Sequence, residues 1–286
     1  MTDLTKTKFV DLFCGIGSFH HSFSTLGWQC VMACDIDPSC RKTYETNYNM
    51  KPLGNVCDIN PQDIESFDVL CSGFPCQPFS QAGKQKGFDD ERGQMIYQTM
   101  KFIDAHHPAC VILENVQGFL SHNKGKTFLK IKSMLENKNY VVFHKVLKCS
   151  DYGIPQMRKR LFIVCLKRDL VEQKNICFND IFDLREFEKN TNLSDYLNLK
   201  LKKDIAYTIR CGGRNSPIKG RHNWDGYFTT DGKVYRLSLN DAKKLQGFED
   251  EFILCGTQTQ KWKQLGNTIP TVFTKMIGEK LNKIFI

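Results

Sequence analysis

The chain has 286 residues, enough for one large domain or a domain with a smaller partner, and enough to bury a core without disulfide or metal staples. Hydrophobic residues at 41% and charged residues at 25% exclude a wholly disordered chain, and no apolar run is long enough to cross a bilayer. With 40 basic against 31 acidic residues the net charge is +9, which suits a polyanionic partner without proving one.

In chain order, the first half alternates short apolar runs with helical stretches. Lys8–Phe13, Cys30–Asp35, Asp68–Ser72, Ala109–Glu114, Tyr140–Leu147 and Leu161–Leu166 are nearly continuous in Val, Ile, Leu, Phe and Cys, the signature of strands covered on both faces. Between them His20–Leu26, Ser39–Tyr48, Met95–His106 and Thr127–Asn137 read as helices. Strand then helix, repeated, predicts an α/β fold with a doubly wound, mostly parallel sheet whose ligands sit beyond the carboxyl ends of the strands. From about Lys167 the character changes. Asn175–Lys203 is polar with few periodic signals, Thr208–Gly232 concentrates Gly, Arg and Asn, Leu237–Leu245 is helical again, and Thr271–Ile284 is an amphipathic helix. The expected division is a main domain from residues 1–167 and 259–286, with a smaller domain over residues 168–258.

The strand ends carry the chemistry. After the first strand comes Asp11-Leu-Phe13-Cys-Gly15-Ile16-Gly17, where glycines let the backbone approach a ligand and aim helix amides at it. The G-x-G-x-x-G pattern is incomplete, because His20 stands at its third glycine. Asp35 closes the next strand at the distance expected of a ribose-binding acid, and Asp58 is read near a further strand end. Together these favour an adenosine-type ligand over plain turns. Gly73-Phe-Pro75-Cys76-Gln-Pro braces a cysteine between two prolines, reading either as one more buried thiol or as a fixed nucleophile. Glu114 ends an apolar run, where burial would raise its pKa and fit it to donate a proton. Equally, it suits a helix cap or a buried ion pair. If the strands run in order, Cys76 and Glu114 face one crevice. Gln156, Arg158 and Arg160 alternate onto one face ahead of an apolar strand, and two arginines there could hold a phosphate and a base oxygen. A solvated charge run is the plainer alternative.

The ordered set DLFCGIGSF, GFPCQPFSQAG, ENV, QMRKR, RLSLNDAKKLQGF and QLGNTIP resembles the cytosine-C5 methyltransferases, especially the DNA enzymes of bacterial modification systems. The resemblance spans nearly the whole chain. It implies a Rossmann-like domain binding S-adenosyl-L-methionine through Phe13, Gly15, Ile16, Gly17, Asp35, Ile36, Asp58, Pro75 and Asn267, with a smaller target-recognition domain. The family usually has Glu where Asp35 stands. It further implies Cys76 as the nucleophile on C6 of a flipped-out cytosine, Glu114 at N3, Arg160 at O2, and Arg158 positioning this face and a nearby phosphate. Gln81, Lys84 and Lys86 fall in the family's mobile loop, and Arg210, Arg214 and Arg221 in the region expected to meet DNA. Over Ile205–Arg236 six basic residues stand against two Asp. The partner so implied is double-stranded DNA, while the sequence leaves open whether a cognate restriction endonuclease acts separately or the enzyme stands alone; the enzyme is expected to be monomeric, in the bacterial cytoplasm at the nucleoid or wherever host DNA lies, and no metal is called for.

Rival readings are weaker on particular residues. A tRNA cytosine-C5 methyltransferase resembles this chain in most motifs, but such enzymes typically carry Pro-Pro-Cys and Cys-Phe-Thr, whereas Phe-Pro-Cys stands here. A non-catalytic DNA-binding module would have no need of Cys76 with Glu114, and a NAD-dependent dehydrogenase rests on the broken glycine pattern alone. The 13 cysteines include no C-x-x-C pair, so most are expected to be small buried apolar residues in a reducing compartment. His20, His21, His106 and His107 are expected at the surface or as caps, and Trp224 is either a DNA contact or a buried structural residue.

Overall fold

A computed structural model describes residues 6–75 and 95–285. Among the described residues, six strands form the main sheet: β1 (Lys8–Leu12), β2 (Gln29–Cys34), β3 (Val69–Ser72), β4 (Cys110–Val116), β5 (Tyr140–Lys148) and β6 (Lys159–Lys167), in the order β2-β1-β3-β4-β6-β5. The strands β2, β1, β3 and β4 are mutually parallel; β6 runs antiparallel to both β4 and β5. Each central strand is buried along its length, as the unbroken apolar runs require for a sheet covered on both faces. The antiparallel β6 has a consequence for the site. Its first residues, Lys159 and Arg160, lie at the edge where the parallel strands end, with Arg160 opposite Val116.

Helices α1 (Ser18–Ser24), α2 (Pro38–Tyr48), α3 (Met95–His106) and α4 (Lys126–Glu136) match the predicted stretches to within about two residues. Asp37 caps α2 by accepting from the Ser39 amide at 2.9 Å, with Pro38 at the first helical position. Past β6 come α5 (Arg168–Lys174), α6 (Phe178–Phe182), α7 (Leu193–Leu197), the hairpin β7 (Gly226–Phe228) with β8 (Val234–Arg236), α8 (Leu239–Leu245), α9 (Gln258–Asn267) and α10 (Thr271–Phe285).

One expectation, for Asp58, is corrected here, and the polar stretch Asn175–Lys203, which shows few periodic signals, carries α6 and α7. Ile181, Phe182, Leu184, Leu193 and Leu197 bury into a core cluster that also contains Phe9, Phe23 and Phe273. Asp58 is not at a strand end; it closes the 3-10 turn Val56–Asp58 and is exposed.

The last helix returns to the first. Ser22 Oγ and Thr274 Oγ1 lie 2.7 Å apart, Thr274 Oγ1 donates to the Ser18 carbonyl at 3.0 Å, and Trp28 Nε1 donates to Asn282 at 2.9 Å. Gly278 allows this approach, since a Cβ there would lie 2.8 Å from Phe23 Cε1. Gly278→Val is therefore expected to cost roughly 1–3 kcal/mol by overpacking, read as a lower urea midpoint at unchanged m-value.

Candidate active site

The turns after β1, β2, β3 and β4 converge at one edge of the sheet, and the segment between α9 and α10 closes over them. The resulting cleft, about 350 Å³ including its part open to solvent, is lined by Asp11, Phe13, Gly15, Ser18, Gly73, Glu114 and Asn267 among others. Ser18 Oγ donates to the Ile269 carbonyl at 2.6 Å, which fastens that segment to the start of α1.

The glycine turn is built for close approach. Phe13, Gly15 and Gly17 all have positive φ, at 56°, 54° and 89°. At Gly17 a Cβ would stand 2.3 Å from Tyr48 Cε2 and 2.9 Å from Tyr44, so a side chain is excluded on both counts. The same tyrosines explain the missing third glycine. His20 stacks on Tyr48 with ring centroids 4.3 Å apart, and its Nδ1 lies 2.7 Å from Tyr44 Oη. Burial lowers its pKa to about 4, so His20 is a neutral packing residue rather than the expected surface or capping one.

Asp35 accepts from the Gly15 amide and from the Asp37 amide, each at 2.8 Å, locking the β1 turn to the β2 turn. Ile36 beside it is 72% exposed, an apolar side chain left open to solvent. Sequence reading passed over Asp11. It is buried in β1, its Oδ2 has no hydrogen-bond partner, and burial, reinforced by Asp35, holds its pKa well above the carboxylate range. Its one signal was an acid inside the apolar run Lys8–Phe13.

Glu114 lies two residues inside β4 rather than at its end. Its Oε1 pairs with Arg160 Nε at 2.9 Å, both side chains being almost buried. Burial raises the Glu114 pKa, while Arg160 and, more weakly, Arg158 pull against it. Next to it, Asn115 Nδ2 donates to the Phe74 carbonyl at 3.2 Å and pins the Gly73-Phe-Pro75 turn that leads to Cys76. The turns that follow β3 and β4 are thus neighbours, as the order of the strands required. Cys76, Gln81, Lys84 and Lys86 lie outside the described residues.

Arg158 departs from expectation. It is fully buried, and its guanidinium donates to the carbonyls of Ile209 at 3.0 Å, Gly266 at 3.0 Å and Thr268 at 2.6 Å. It cannot reach a phosphate. Gln156 acts alongside, donating to the Leu245 carbonyl and accepting from the Ile209 amide. Of the three residues expected on one face, Arg160 alone meets Glu114 in the cleft.

Arg214, expected at DNA, is held within the fold. Its guanidinium stacks 4.0 Å over Trp262 and lies 3.6 Å from the buried Asp225, which also binds Arg236. Trp224 is wholly buried and donates to the Gly212 carbonyl, which settles it as structural. Arg210 and Arg221 are exposed. Asn267 lines the cleft and accepts from the Cys211 thiol, with S···O at 2.8 Å.

A family model described as C-5 cytosine-specific DNA methylase matches residues 7–227 and 202–283. The chain belongs to that family. It is a DNA (cytosine-5-)-methyltransferase, and the family takes its methyl group from S-adenosylmethionine. The type II methyltransferase M.DsaV of Dactylococcopsis salina is 33% identical over 307 residues, covering 96% of this chain and 86% of its own. M.HhaI of Haemophilus parahaemolyticus is 30% identical over 299 residues, covering 93% and 91%. Among solved structures, S. pombe Dnmt2 methyltransferase superimposes with TM-score 0.75 at 17% identity over 98% of this chain and 100% of its own, a likeness of fold.

Two predictions follow from the buried groups of the methyltransferase. Arg158→Met strands three carbonyls and should cost on the order of 3 kcal/mol or more, while the salt dependence of DNA binding stays at the wild-type slope. The raised Asp11 pKa means that the folded state holds its proton longer than the unfolded chain, so stability falls as pH rises through that value. Asp11→Asn removes this loss, so its melting temperature should gain on wild type as pH rises above about 4, the ordinary carboxylate value.

Proposed function

We propose that the protein methylates C5 of a flipped-out cytosine within a short duplex sequence, through a transient bond between Cys76 and C6. The observation that carries this reading is the Glu114–Arg160 pair, nearly buried in the cleft and one strand away from the turn that delivers Cys76.

The cofactor fits the residues present. Asp35, fixed by the Gly15 amide, would meet a ribose hydroxyl with its remaining lone pairs, the exposed Ile36 would offer an apolar surface for adenine, and the exposed Asp58 is proposed for the adenine amino group. Phe13, Gly15 and Asn267 line the cleft, and Ile16, Gly17 and Pro75, each within two residues of a lining residue, complete the proposed cofactor set. The unpartnered Asp11 oxygen is an acidic wall suited to a cationic ligand, which describes a sulfonium bearing an ammonium group. When bound, the cofactor supplies an electrophilic methyl group.

Each of the chain's own residues has a part that its surroundings explain. Cytosine C5 is a weak nucleophile until a thiolate adds at C6 and pushes electron density onto C5. Cys76 is that thiolate. Glu114, inclined by burial to keep a proton, places it at N3 as the ring gains charge, and Arg160 holds both the carboxylate and O2. Once C5 carries the methyl group its proton passes to solvent, the C5–C6 double bond re-forms as the Cys76 thiolate leaves, and N3 returns its proton to Glu114, so the enzyme is restored. The base must leave the stack for these groups to reach it.

Target reading is proposed for residues 168–258, where Arg210 and Arg221 are exposed, and Gln81, Lys84 and Lys86 are proposed for the duplex side of the loop after Cys76. Bisulfite sequencing of DNA from expressing cells should show 5-methylcytosine at one sequence context. A tritiated-donor assay given duplex DNA and tRNA should label the DNA; label in tRNA alone would overturn the substrate. Cys76→Ser should abolish transfer and prevent trapping by 5-fluorocytosine duplex. Glu114→Gln should lower kcat by roughly 10²-fold or more while leaving the cofactor KM near wild type.

A further inference from the structure

The described edge of the sheet beside Glu114 carries a row of lysines that the reaction does not use. Lys124 and Lys126 follow β4, at the start of α4; β5 ends at Lys148; β6 begins at Lys159, paired in register with Lys148. Helix α4 runs back from this edge and β5 returns to it, so all four side chains belong to the same rim as Arg160. Lys124, Lys126 and Lys159 are exposed, and none forms an ion pair with a described carboxylate. Lys148 alone is partly countered, by Asp151 at 3.7 Å.

We propose that this rim is a second DNA-binding surface, separate from residues 168–258, which grips the phosphates of the strand flanking the target cytosine. The inference rests on the duplex-DNA reading above. Two strand spacings separate β4 from β5 across β6, about 10 Å, so the rim is wide enough to meet successive phosphates of one strand. Ammonium groups on flexible stems serve as point charges for phosphate rather than as readers of base edges. The surface therefore adds affinity without sequence preference, and fixes where the duplex lies relative to Glu114. Its charge also explains part of the basic excess that residues 168–258 do not absorb.

The test is binding of a random-sequence duplex, by fluorescence anisotropy over a salt series, to wild type, to Lys124→Ala/Lys126→Ala/Lys159→Ala, and to a control, Lys101→Ala/Lys275→Ala, altered on outer helix faces. The rim variant should bind about tenfold or more weakly at low salt, and its slope of log affinity against log salt should fall by about 2.7, near 0.9 per lost phosphate contact. Its methylated sequence and cofactor KM should be unchanged, and the control should keep the wild-type slope. An unaltered slope in the rim variant, or an equal fall in the control, would overturn the proposal. Wild-type protein that bound no duplex and left it unmethylated would instead overturn the substrate reading beneath it.

Discussion

A single buried guanidinium holds the functional parts in relation to one another. Arg158 spans the carbonyls of Ile209, Gly266 and Thr268, so one planar cation ties the strand that carries Arg160 to residues near Arg210 and to the turn that carries Asn267. A charge buried this deeply is tolerated because its two terminal nitrogens meet fixed carbonyl acceptors, although Nε has none, and the same geometry ties the three segments together. The cleft inherits its shape from that knot. Gln156 doubles the tie to Ile209, and Ser18 completes the closure by bonding Ile269.

Electrostatics divide the site into two tempers. Around Asp11 and Asp35, burial keeps carboxyls above their ordinary range with no described ion pair to settle them, a setting that awaits positive charge. Around Glu114, the carboxyl is equally buried but already engaged by Arg160, so its proton is poised between desolvation and a cation. Acids on the same sheet thus differ in setting through their neighbours rather than through their own chemistry.

The frame of the sheet was legible because its strands are continuous apolar runs, and because a Gly-rich turn follows the first. Glu114 stood out for a related reason: a carboxylate within such a run must have a purpose. Asp11 sat in an equally apolar run but was hidden by the glycines that follow it. The two arginines of Gln156–Arg160 differ in fate only through contacts more than forty residues away in sequence, which alternation within one strand cannot foresee. Helices α6 and α7 escaped because five-residue helices carry too few turns to show a period, though Ile181, Phe182, Leu193 and Leu197 all join the core. Arg214 shows the same limit at the surface. An arginine in a basic tract can be a DNA contact or the lid of a tryptophan, and only the position of Trp262 decides.

The pairing of α1 with α10 sets an order on synthesis. The opening strand and glycine turn emerge early from the ribosome, yet the wall they need at Asn267–Ile269, and the helix that seals Phe23, arrive some 250 residues later. The nascent chain therefore cannot close the cleft beside the glycine turn until the segment between α9 and α10 has been made.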